Sequence, residues 1–268
     1  MPERSGHEHG VPCWVELSST DVSLSVGFYR ELFGWEAAFD DGPEPGGYGR
    51  FRMSGRLVAG ITPSLGGDAP AAWNTYVAVD DAAAAMARVR AAGGEVVLEP
   101  VKVRERGVMA AFTDPSGAFL AVWQPGEDHG VELVAEPGAF AWCELSSRDT
   151  AAALSFYRQV FGWQARDMGV GGVEYTQWRA HGRPVAGMTA IGADVRAEVP
   201  SHWRTYFAVA DADAAVAKVR ELGGRVFAEP VKTVGGLVAV MTDPEFATFA
   251  VIVLPEPAVL EKIRESPL

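Results

Sequence analysis

Hydrophobic and polar positions at the start of the chain change from a strand-like to a helical pattern. Large and small side chains alternate from Trp14 to Ser18, which is typical of a strand. Apolar residues then recur at a helical spacing, at Leu24, Phe28 and Leu32. Asp21 is a suitable N-cap and Gly34 a suitable end. The pattern therefore predicts a strand followed by a helix over about 22–33.

The first 125 residues contain this strand–helix order twice, each time followed by further strands. Residues 48–53 and 57–62 read as strands around a Gly55 turn. A strand over 73–79, an alanine-rich helix ending at Gly93-Gly94, and strands over 95–98, 108–113 and 119–123 come next. We interpret this segment as two βαβββ modules.

The chain then repeats itself. The segment Trp14-Val15-Glu16-Leu17-Ser18-Ser19 returns as Trp142-Cys143-Glu144-Leu145-Ser146-Ser147, an offset of 128 (142 − 14). The FYR and FGW segments of residues 28–35 return with the same offset at 156–163. A repeat of this length indicates two copies of one folding unit, and so four modules in all.

The repeat suggests boundaries along the chain. We predict a flexible N-terminal tail over 1–11, a first unit over 12–125, a linker over 126–139, a second unit over 140–254 and a C-terminal tail over 255–268. A short helix over 259–264 is expected within the last segment.

Composition excludes several classes of protein. The chain has 268 residues, of which 48% are hydrophobic, and no apolar run long enough for a membrane span. Its net charge of −12 disfavours nucleic acid as a partner and favours cationic ligands. The polar N-terminus lacks the apolar core of a secretory signal, and two cysteines in predicted strands suggest a reducing compartment. We therefore expect a cytoplasmic protein that binds neither nucleic acid nor membranes.

The tandem βαβββ order, with FYR and FGW after the first strand and an Asp-Pro turn before the last, resembles the vicinal oxygen chelate superfamily of glyoxalases, bleomycin-resistance proteins and extradiol dioxygenases. The resemblance implies an α+β fold in which each pair of modules forms a cup-shaped sheet that holds the ligand. It also implies metal ligands at positions that are Trp14, Asn74 and Ala121 in the first copy and Trp142, Arg204 and Ala250 in the second. Since these residue types are not ordinary metal ligands, we expect no metal and no other cofactor.

Strand alternation predicts what lines the cups instead. Trp14 shares its face with Glu16, and Trp142 shares its face with Glu144. The remaining candidate ligand-binding residues are mostly aromatic: Tyr48, Asn74, Tyr76, Trp123, Tyr175, Trp178, Arg204 and Tyr206. An aromatic cup with one carboxylate per copy suits a flat, cationic ligand.

Three functions remain open at this stage. The leading hypothesis is metal-free binding of an aromatic, cationic small molecule, such as an anthracycline or a bleomycin type of antibiotic, for drug sequestration or as an auxiliary to natural-product biosynthesis. The alternatives are a glyoxalase-like or hydroxylase-like enzyme that uses Glu16 or Glu144 in acid–base catalysis, and a structural or protein-interaction module. The sequence leaves open which copy is active and whether each cup forms within a copy or across both. A monomer that pairs its copies internally and a homodimer are both consistent with the repeat.

Overall fold

A computed structural model describes residues 6–40, 47–64, 70–169 and 174–255 of the chain. The expected helix at 259–264 lies outside these residues. The first unit consists of two βαβββ modules, with these bounds: β1 (Pro12–Ser19), α1 (Val22–Phe33), β2 (Glu36–Phe39), β3 (Gly49–Met53), β4 (Arg56–Pro63), β5 (Ala72–Ala78), α2 (Ala82–Ala91), β6 (Glu95–Val103), β7 (Gly107–Thr113) and β8 (Phe119–Pro125).

The second unit repeats the same ten elements in the same order. Their bounds are β9 (Phe140–Ser147), α3 (Thr150–Phe161), β10 (Gln164–Asp167), β11 (Tyr175–Ala180), β12 (Arg183–Ala190), β13 (His202–Ala208), α4 (Ala212–Glu221), β14 (Arg225–Thr233), β15 (Gly236–Thr242) and β16 (Thr248–Val253). The predicted α+β architecture of two tandem units is confirmed. The hydrophobic pattern did not indicate β2, a four-residue strand at the edge of its sheet.

Each unit forms one eight-stranded sheet. The strand order in the first is β2-β3-β4-β1-β5-β8-β7-β6, and the second sheet repeats it. The two modules of a unit meet where β1 runs antiparallel to β5, and where β9 runs antiparallel to β13. Each cup is therefore built within one copy and not across both.

The first helix of each unit has the ends that its sequence predicts. The Asp21 side chain accepts a hydrogen bond from the Leu24 backbone N–H at 3.0 Å, and Gly34 ends the helix with φ +73°. Asp149 and Gly162 play the same parts in α3. These local signals coincide with the observed ends of both helices.

The two units pack against each other through a pseudo-symmetric pair of buried triads. Tyr29 donates from its hydroxyl to Asp243 Oδ2 at 3.0 Å and accepts from Trp73 Nε1 at 2.8 Å. The second triad has the reciprocal arrangement and consists of Trp203, Tyr157 and Asp114. Each tyrosine belongs to one unit and its aspartate to the other, so the core is continuous across the boundary between the units.

Two tryptophans extend this boundary. Trp35 donates to the Gly138 carbonyl at 2.7 Å and packs against Phe207 with ring centroids 5.4 Å apart. Trp163 donates to the Gly10 carbonyl at 2.7 Å. Both indoles are fully buried. The tryptophan that ends each repeated FGW segment thus contributes to the packing of one copy on the other.

Residues 6–11, the described part of the predicted N-terminal tail, make specific contacts with the rest of the chain. Gly10 is buried and donates to the Ala78 carbonyl at 2.8 Å, and the Ala78 N–H donates to Val11 at 2.9 Å. His7 contacts the Val131 carbonyl at 3.2 Å. Local composition did not indicate this order, because the partners come from distant parts of the chain. None of the helices in the described part of the chain has the length and apolar composition that a bilayer-spanning segment needs.

Candidate functional site

Each sheet carries a buried carboxylate on the face opposite its helices. In the first unit, Val15 and Leu17 point into the core, so Trp14 and Glu16 point the other way. The Tyr76 hydroxyl donates to Glu16 Oε1 at 3.0 Å, and Glu16 is only 8% exposed. We call this face of the first sheet cup 1 and the corresponding face of the second sheet cup 2.

A tyrosine immediately before β3 completes the cluster in cup 1. Tyr48 and Trp14 lie close enough to the Glu16 carboxylate to lower its pKa, against the rise that burial causes. A β-carbon built at Gly60 would lie 2.7 Å from the Tyr48 hydroxyl oxygen and 3.0 Å from the Trp14 ring. Only glycine at this position lets Tyr48 reach across β4 to the carboxylate.

Cup 2 repeats this cluster residue for residue. Tyr206 donates to Glu144 Oε1 at 3.0 Å, and Trp142 donates from Nε1 to the Tyr175 hydroxyl at 3.2 Å. Tyr175 also lies close enough to Glu144 to lower the pKa of that carboxyl group, and a β-carbon at Gly187 would overlap the Tyr175 hydroxyl. The structure therefore brings together, in each cup, the predicted tryptophan, glutamate and two tyrosines.

Burial dominates the protonation of both carboxyl groups. Desolvation raises the pKa of Glu16 and of Glu144, and the tyrosine hydrogen bonds oppose it only in part. Arg204 further opposes the rise at Glu144 through its positive charge. Burial also raises the pKa of Tyr76 and Tyr206, so both hydroxyls keep their protons at neutral pH. Each cup floor can thus hold or exchange a proton at one carboxyl group.

The residues of the cup floors do not fit a divalent metal ion. Each floor supplies one carboxylate, and one oxygen of it already accepts a hydrogen bond from a tyrosine. The tyrosine hydroxyls occupy the space above Gly60 and Gly187. In the described ranges, no group of three or more His, Cys, Asp or Glu side chains could hold a metal.

Charged residues close cup 1 at its rim. Asp40, just after β2, pairs with Arg106 in the β6–β7 turn through two contacts of 2.7 Å. Arg50 joins this network to Asp128 of the linker, with nitrogen–oxygen distances of 3.4 Å to Asp40 and 3.7 Å to Asp128. Arg106 also lies over the ring of Tyr48, 5.8 Å from its centroid. Because β2 and β6 are the two edges of the sheet, this network (Asp40, Arg50, Arg106 and Asp128) joins opposite sides of the cup; we call it the rim network.

Trp123 adds bulk to the same side of cup 1. Its indole donates to the Asp128 carbonyl at 2.8 Å, and a β-carbon at Gly107 would lie 2.6 Å from its ring. This fixes Trp123 against β7, beside the rim network. Asn74 lies on the cup face of β5 and donates to Ser18 at 3.2 Å.

Cup 2 lacks the counterparts of the rim network. Met168 stands in the position of Asp40, and Gln177 stands in that of Arg50. The turn between β14 and β15 has two residues, Val234 and Gly235, where the first unit has three, so no residue replaces Arg106. Ile252 takes the place of Trp123. Cup 2 is therefore open where cup 1 is closed.

The floor and wall of cup 2 combine apolar and polar sides. Trp142 is half-buried, whereas Trp14 is only 9% exposed. Around Tyr206 lie further half-buried or buried apolar residues: Val238, Val240, Ala250, Ile252 and Leu254. On the polar side, Arg204 lies opposite Glu144 in the β9–β13 register. Trp142 and this apolar wall therefore lie together in cup 2, beside the Arg204–Glu144 pair.

Trp178 does not line the cup that we predicted for it. It is fully buried and packs against Tyr157, Trp163 and Trp203 with ring centroids 5.1–5.7 Å apart. Since side chains alternate along a strand, residues three apart such as Tyr175 and Trp178 point to opposite faces. Tyr175 faces the cup and Trp178 faces the core.

The sequence analysis missed the rim network and Gln177. The charged side chains of the network were visible, but nothing local indicated that the β2 and β6 edges meet. Gln177 is buried at the cup side of β11 and accepts from Arg179 at 3.0 Å. The one available signal was the difference between copies at Asp40 and Arg50.

A cleft of about 480 Å³ shares no lining residue with the clusters around Glu16 and Glu144. The N-terminal segment and the β11–β12 hairpin enclose it, and its lining includes Glu8, Val11, Arg179 and Val185. It contains neither a buried carboxyl group nor an aromatic side chain. We therefore place the candidate site in the cups, where the aromatic and titratable groups converge.

Comparisons with known proteins identify relatives over nearly the whole chain. The family described as Glyoxalase/Bleomycin resistance protein/Dioxygenase superfamily matches residues 13–122 and 139–250. The anthracycline biosynthesis protein DauV of Streptomyces sp. strain C5 is 41% identical over 261 residues, which cover 92% of this chain and 94% of that protein. The putative glyoxylase CFP32 of Mycobacterium tuberculosis is 40% identical over 261 residues, covering 94% and 98%.

Solved structures share the fold at low identity. The Mn(II)-bound glyoxalase from Novosphingobium aromaticivorans has a TM-score of 0.64 at 17% identity, covering 94% of this chain and 89% of that one. The 2,2',3-trihydroxybiphenyl 1,2-dioxygenase from Sphingomonas wittichii has a TM-score of 0.62 at 17% identity, covering 92% and 91%. These likenesses support the architecture of two tandem units and carry no argument about chemistry.

Proposed function

Because this chain belongs to the glyoxalase/bleomycin resistance protein/dioxygenase superfamily, we propose that it is a small-molecule-binding protein whose second cup holds a flat aromatic natural product. The observation that carries the proposal is the difference between the cups. The rim network closes cup 1, whereas cup 2 exposes part of Trp142 above an apolar wall. A concave, mostly apolar site with a few convergent polar groups is the usual form of a ligand site.

The class of ligand follows from the walls and from the relatives. A half-buried indole offers a stacking face to a planar ring system. The relative DauV is named for anthracycline biosynthesis, and anthracyclines contain such a ring system. We infer a role in natural-product biosynthesis or in sequestration of the product, carried out without a metal.

The pairing of the two units supports a monomer. The tyrosine–aspartate bonds of the two triads and the Thr75–Thr205 contact at 3.2 Å relate the copies as two subunits of a dimer would be related. We therefore expect a single chain to form the complete site. Size-exclusion chromatography with light scattering would return the mass of one chain, 28.6 kDa, and a mass twice as large would contradict this expectation.

Fluorescence titration with a hydroxyanthraquinone such as quinizarin tests the ligand site. The protein has eight tryptophans, so a bound quinone would quench emission. Loss of a stacking partner costs about 1–2 kcal/mol, so Trp142→Ala would weaken binding by about 5- to 30-fold. The matched control Trp14→Ala, in the closed cup, would change the affinity by less than about 2-fold if the variant stays folded. Absence of binding to the wild-type protein, or equal effects of both substitutions, would contradict the proposal.

A second candidate function rests on Glu144. Burial raises the pKa of this carboxyl group, and two tyrosine hydroxyls and Arg204 surround it. A carboxyl group with a raised pKa is suited to proton transfer near neutral pH. If the protein turns over a quinone or ketone, we expect Glu144→Gln to abolish turnover, while Glu16→Gln retains most of it. Full activity of Glu144→Gln would exclude this role.

A further inference from the structure

The cup-facing residues of β13 include a histidine and an arginine that β5 lacks. His202, Arg204 and Tyr206 follow one another at two-residue intervals and so share the cup face. The corresponding residues of β5 are Ala72, Asn74 and Tyr76. Only the tyrosine is common to both copies. The histidine and the arginine are thus particular to the open cup.

His202 holds the Arg204 side chain in place. The His202 Nδ1 lies 2.9 Å from the Pro200 carbonyl oxygen, which can only accept, so Nδ1 carries the proton. The Nε2 atom of the same ring is then an acceptor, and it receives a hydrogen bond from Arg204 Nη2 at 2.9 Å. Burial lowers the pKa of His202, which keeps the ring neutral and this arrangement intact.

The guanidinium of Arg204 has more donors than the fold uses. Its Nε is buried and has no hydrogen-bond partner among the described residues. Within those residues, no carboxylate forms a salt bridge with Arg204. Glu144 and Arg204 interact only at longer range, and Oε1 of Glu144 accepts a hydrogen bond from Tyr206. A partly buried guanidinium that bonds to a neutral imidazole retains a positive charge that an anion can pair with.

We propose that Arg204, positioned by His202, binds an anionic oxygen of the ligand, so that cup 2 selects planar aromatic compounds carrying a phenolate or carboxylate. This inference rests on the proposed ligand site in cup 2. An anionic ligand replaces the cationic ligand that the net charge of −12 suggested. The reason is that Arg204 places a positive charge at the site itself, where it offsets the negative charge of Glu144. Long-range charge affects the rate of encounter, whereas the contacting groups decide which ligand stays bound.

Three probes of nearly equal shape test the proposal. They are anthraquinone-2-carboxylate, the neutral anthraquinone-2-carboxamide and the cationic 2-(aminomethyl)anthraquinone, each titrated against tryptophan fluorescence at pH 7.5. We expect the wild-type protein to bind the carboxylate at least about 10-fold more tightly than the carboxamide, and the cation most weakly, as a charge-assisted hydrogen bond predicts.

Variants separate charge recognition from a structural role. Arg204→Asn installs the residue of the closed cup and would reduce the carboxylate preference to within about 2-fold, because affinity for the carboxylate falls much more than affinity for the carboxamide. Arg204→Lys would retain part of the preference, since it keeps the charge but not the guanidinium geometry. His202→Ala would reduce the preference less than Arg204→Asn does. The matched control Asn74→Ala would leave all three affinities unchanged, and thermal unfolding would verify that each variant is folded.

The possible failures are distinguishable. If the carboxamide binds and the carboxylate gains nothing, the anion proposal falls and the proposed ligand site stands. If Arg204→Asn weakens all three probes by the same factor, Arg204 supports the cup without recognising charge, and the proposal is again overturned. If no probe binds to the wild-type protein, the proposed ligand site fails and this inference fails with it.

Discussion

Replacing Tyr29 by phenylalanine would remove a single oxygen atom from the boundary between the two units. That oxygen donates to Asp243 Oδ2 at 3.0 Å and accepts from Trp73 Nε1 at 2.8 Å. All three side chains are buried, and Tyr29 is completely inaccessible. The substitution adds no atoms and leaves the ring packing in place, so it isolates the two hydrogen bonds that connect the units.

The cost can be worked out from the groups left behind. Loss of a hydrogen bond to a charged carboxylate costs about 1.5–3 kcal/mol, and a buried indole N–H without a partner costs about 1–3 kcal/mol. Because one removed atom serves both bonds, the two costs overlap, and we expect a total of about 2–4 kcal/mol. For a chain of this length, that corresponds to a decrease in Tm of about 5–10 °C.

Urea unfolding of Tyr29→Phe, followed by circular dichroism at pH 7.5, would measure this loss. Tyr157→Phe removes the equivalent oxygen of the second triad and should cost a similar amount. Tyr175→Phe is the matched control, because its hydroxyl lies in open cup 2, where water can replace it; we expect less than half the loss. A change below about 0.5 kcal/mol in Tyr29→Phe, or a larger loss in Tyr175→Phe, would refute the reasoning.

Three further predictions concern single side chains. Burial raises the pKa of Asp243 from 3.8 to about 6, so between these pH values the folded protein holds a proton that the unfolded chain has lost. The advantage of wild type over Asp243→Asn in urea unfolding should therefore shrink by ~2 kcal/mol from pH 4 to pH 7, and a constant difference would contradict this. Glu245 accepts hydrogen bonds from the backbone N–H groups of residues 20 and 21 at the start of α1, at 2.7 and 2.6 Å. Glu245→Gln should therefore cost about 1–3 kcal/mol in unfolding free energy, whereas Ser116→Ala at the equivalent turn of the first unit should cost less than about 0.5 kcal/mol. Equal losses would count against the capping role. Gly187→Ala would displace the hydroxyl of the tyrosine above it and weaken quinone binding at least about 10-fold, as measured by fluorescence titration. The control Gly27→Ala, whose β-carbon would meet nothing within 4 Å, should leave binding unchanged. A normal affinity in Gly187→Ala would show that this hydroxyl does not shape the site.

Much of the cup floor could be predicted from the sequence. Two-residue alternation along β1 places Trp14 and Glu16 on one face, and the repeat places Trp142 and Glu144 in the same way. Tyr76 and Tyr206 were assigned to the opposite strand by the same rule, and the structure brings them to within 3.0 Å of the two carboxylates. The assignment of Trp178 to a cup was wrong because it did not follow this alternation: Trp178 is three residues from Tyr175 and therefore faces the core.

The contacts that distinguish the two cups depend on how each sheet closes. Asp40 and Arg106 are 66 residues apart and belong to opposite edges of one sheet. Their types were visible in the sequence, but their pairing requires the curvature that brings those edges together. The same limit applies to Tyr29 and Asp243, which are 214 residues apart and meet only because one unit packs on the other.

The sequence by itself therefore determined the repeat, the order of the longer elements, the helix ends and the cup-facing side of β1, β5, β9 and β13. These features depend on neighbouring residues and on the fixed periods of helix and strand, so a linear pattern is sufficient to specify them. Only the tertiary structure decided that cup 1 is closed, that cup 2 is open with Arg204 on its floor, and that the units share one core. Those outcomes depend on the curvature of each sheet and the packing of one copy on the other, which place residues far apart in the chain within hydrogen-bonding distance.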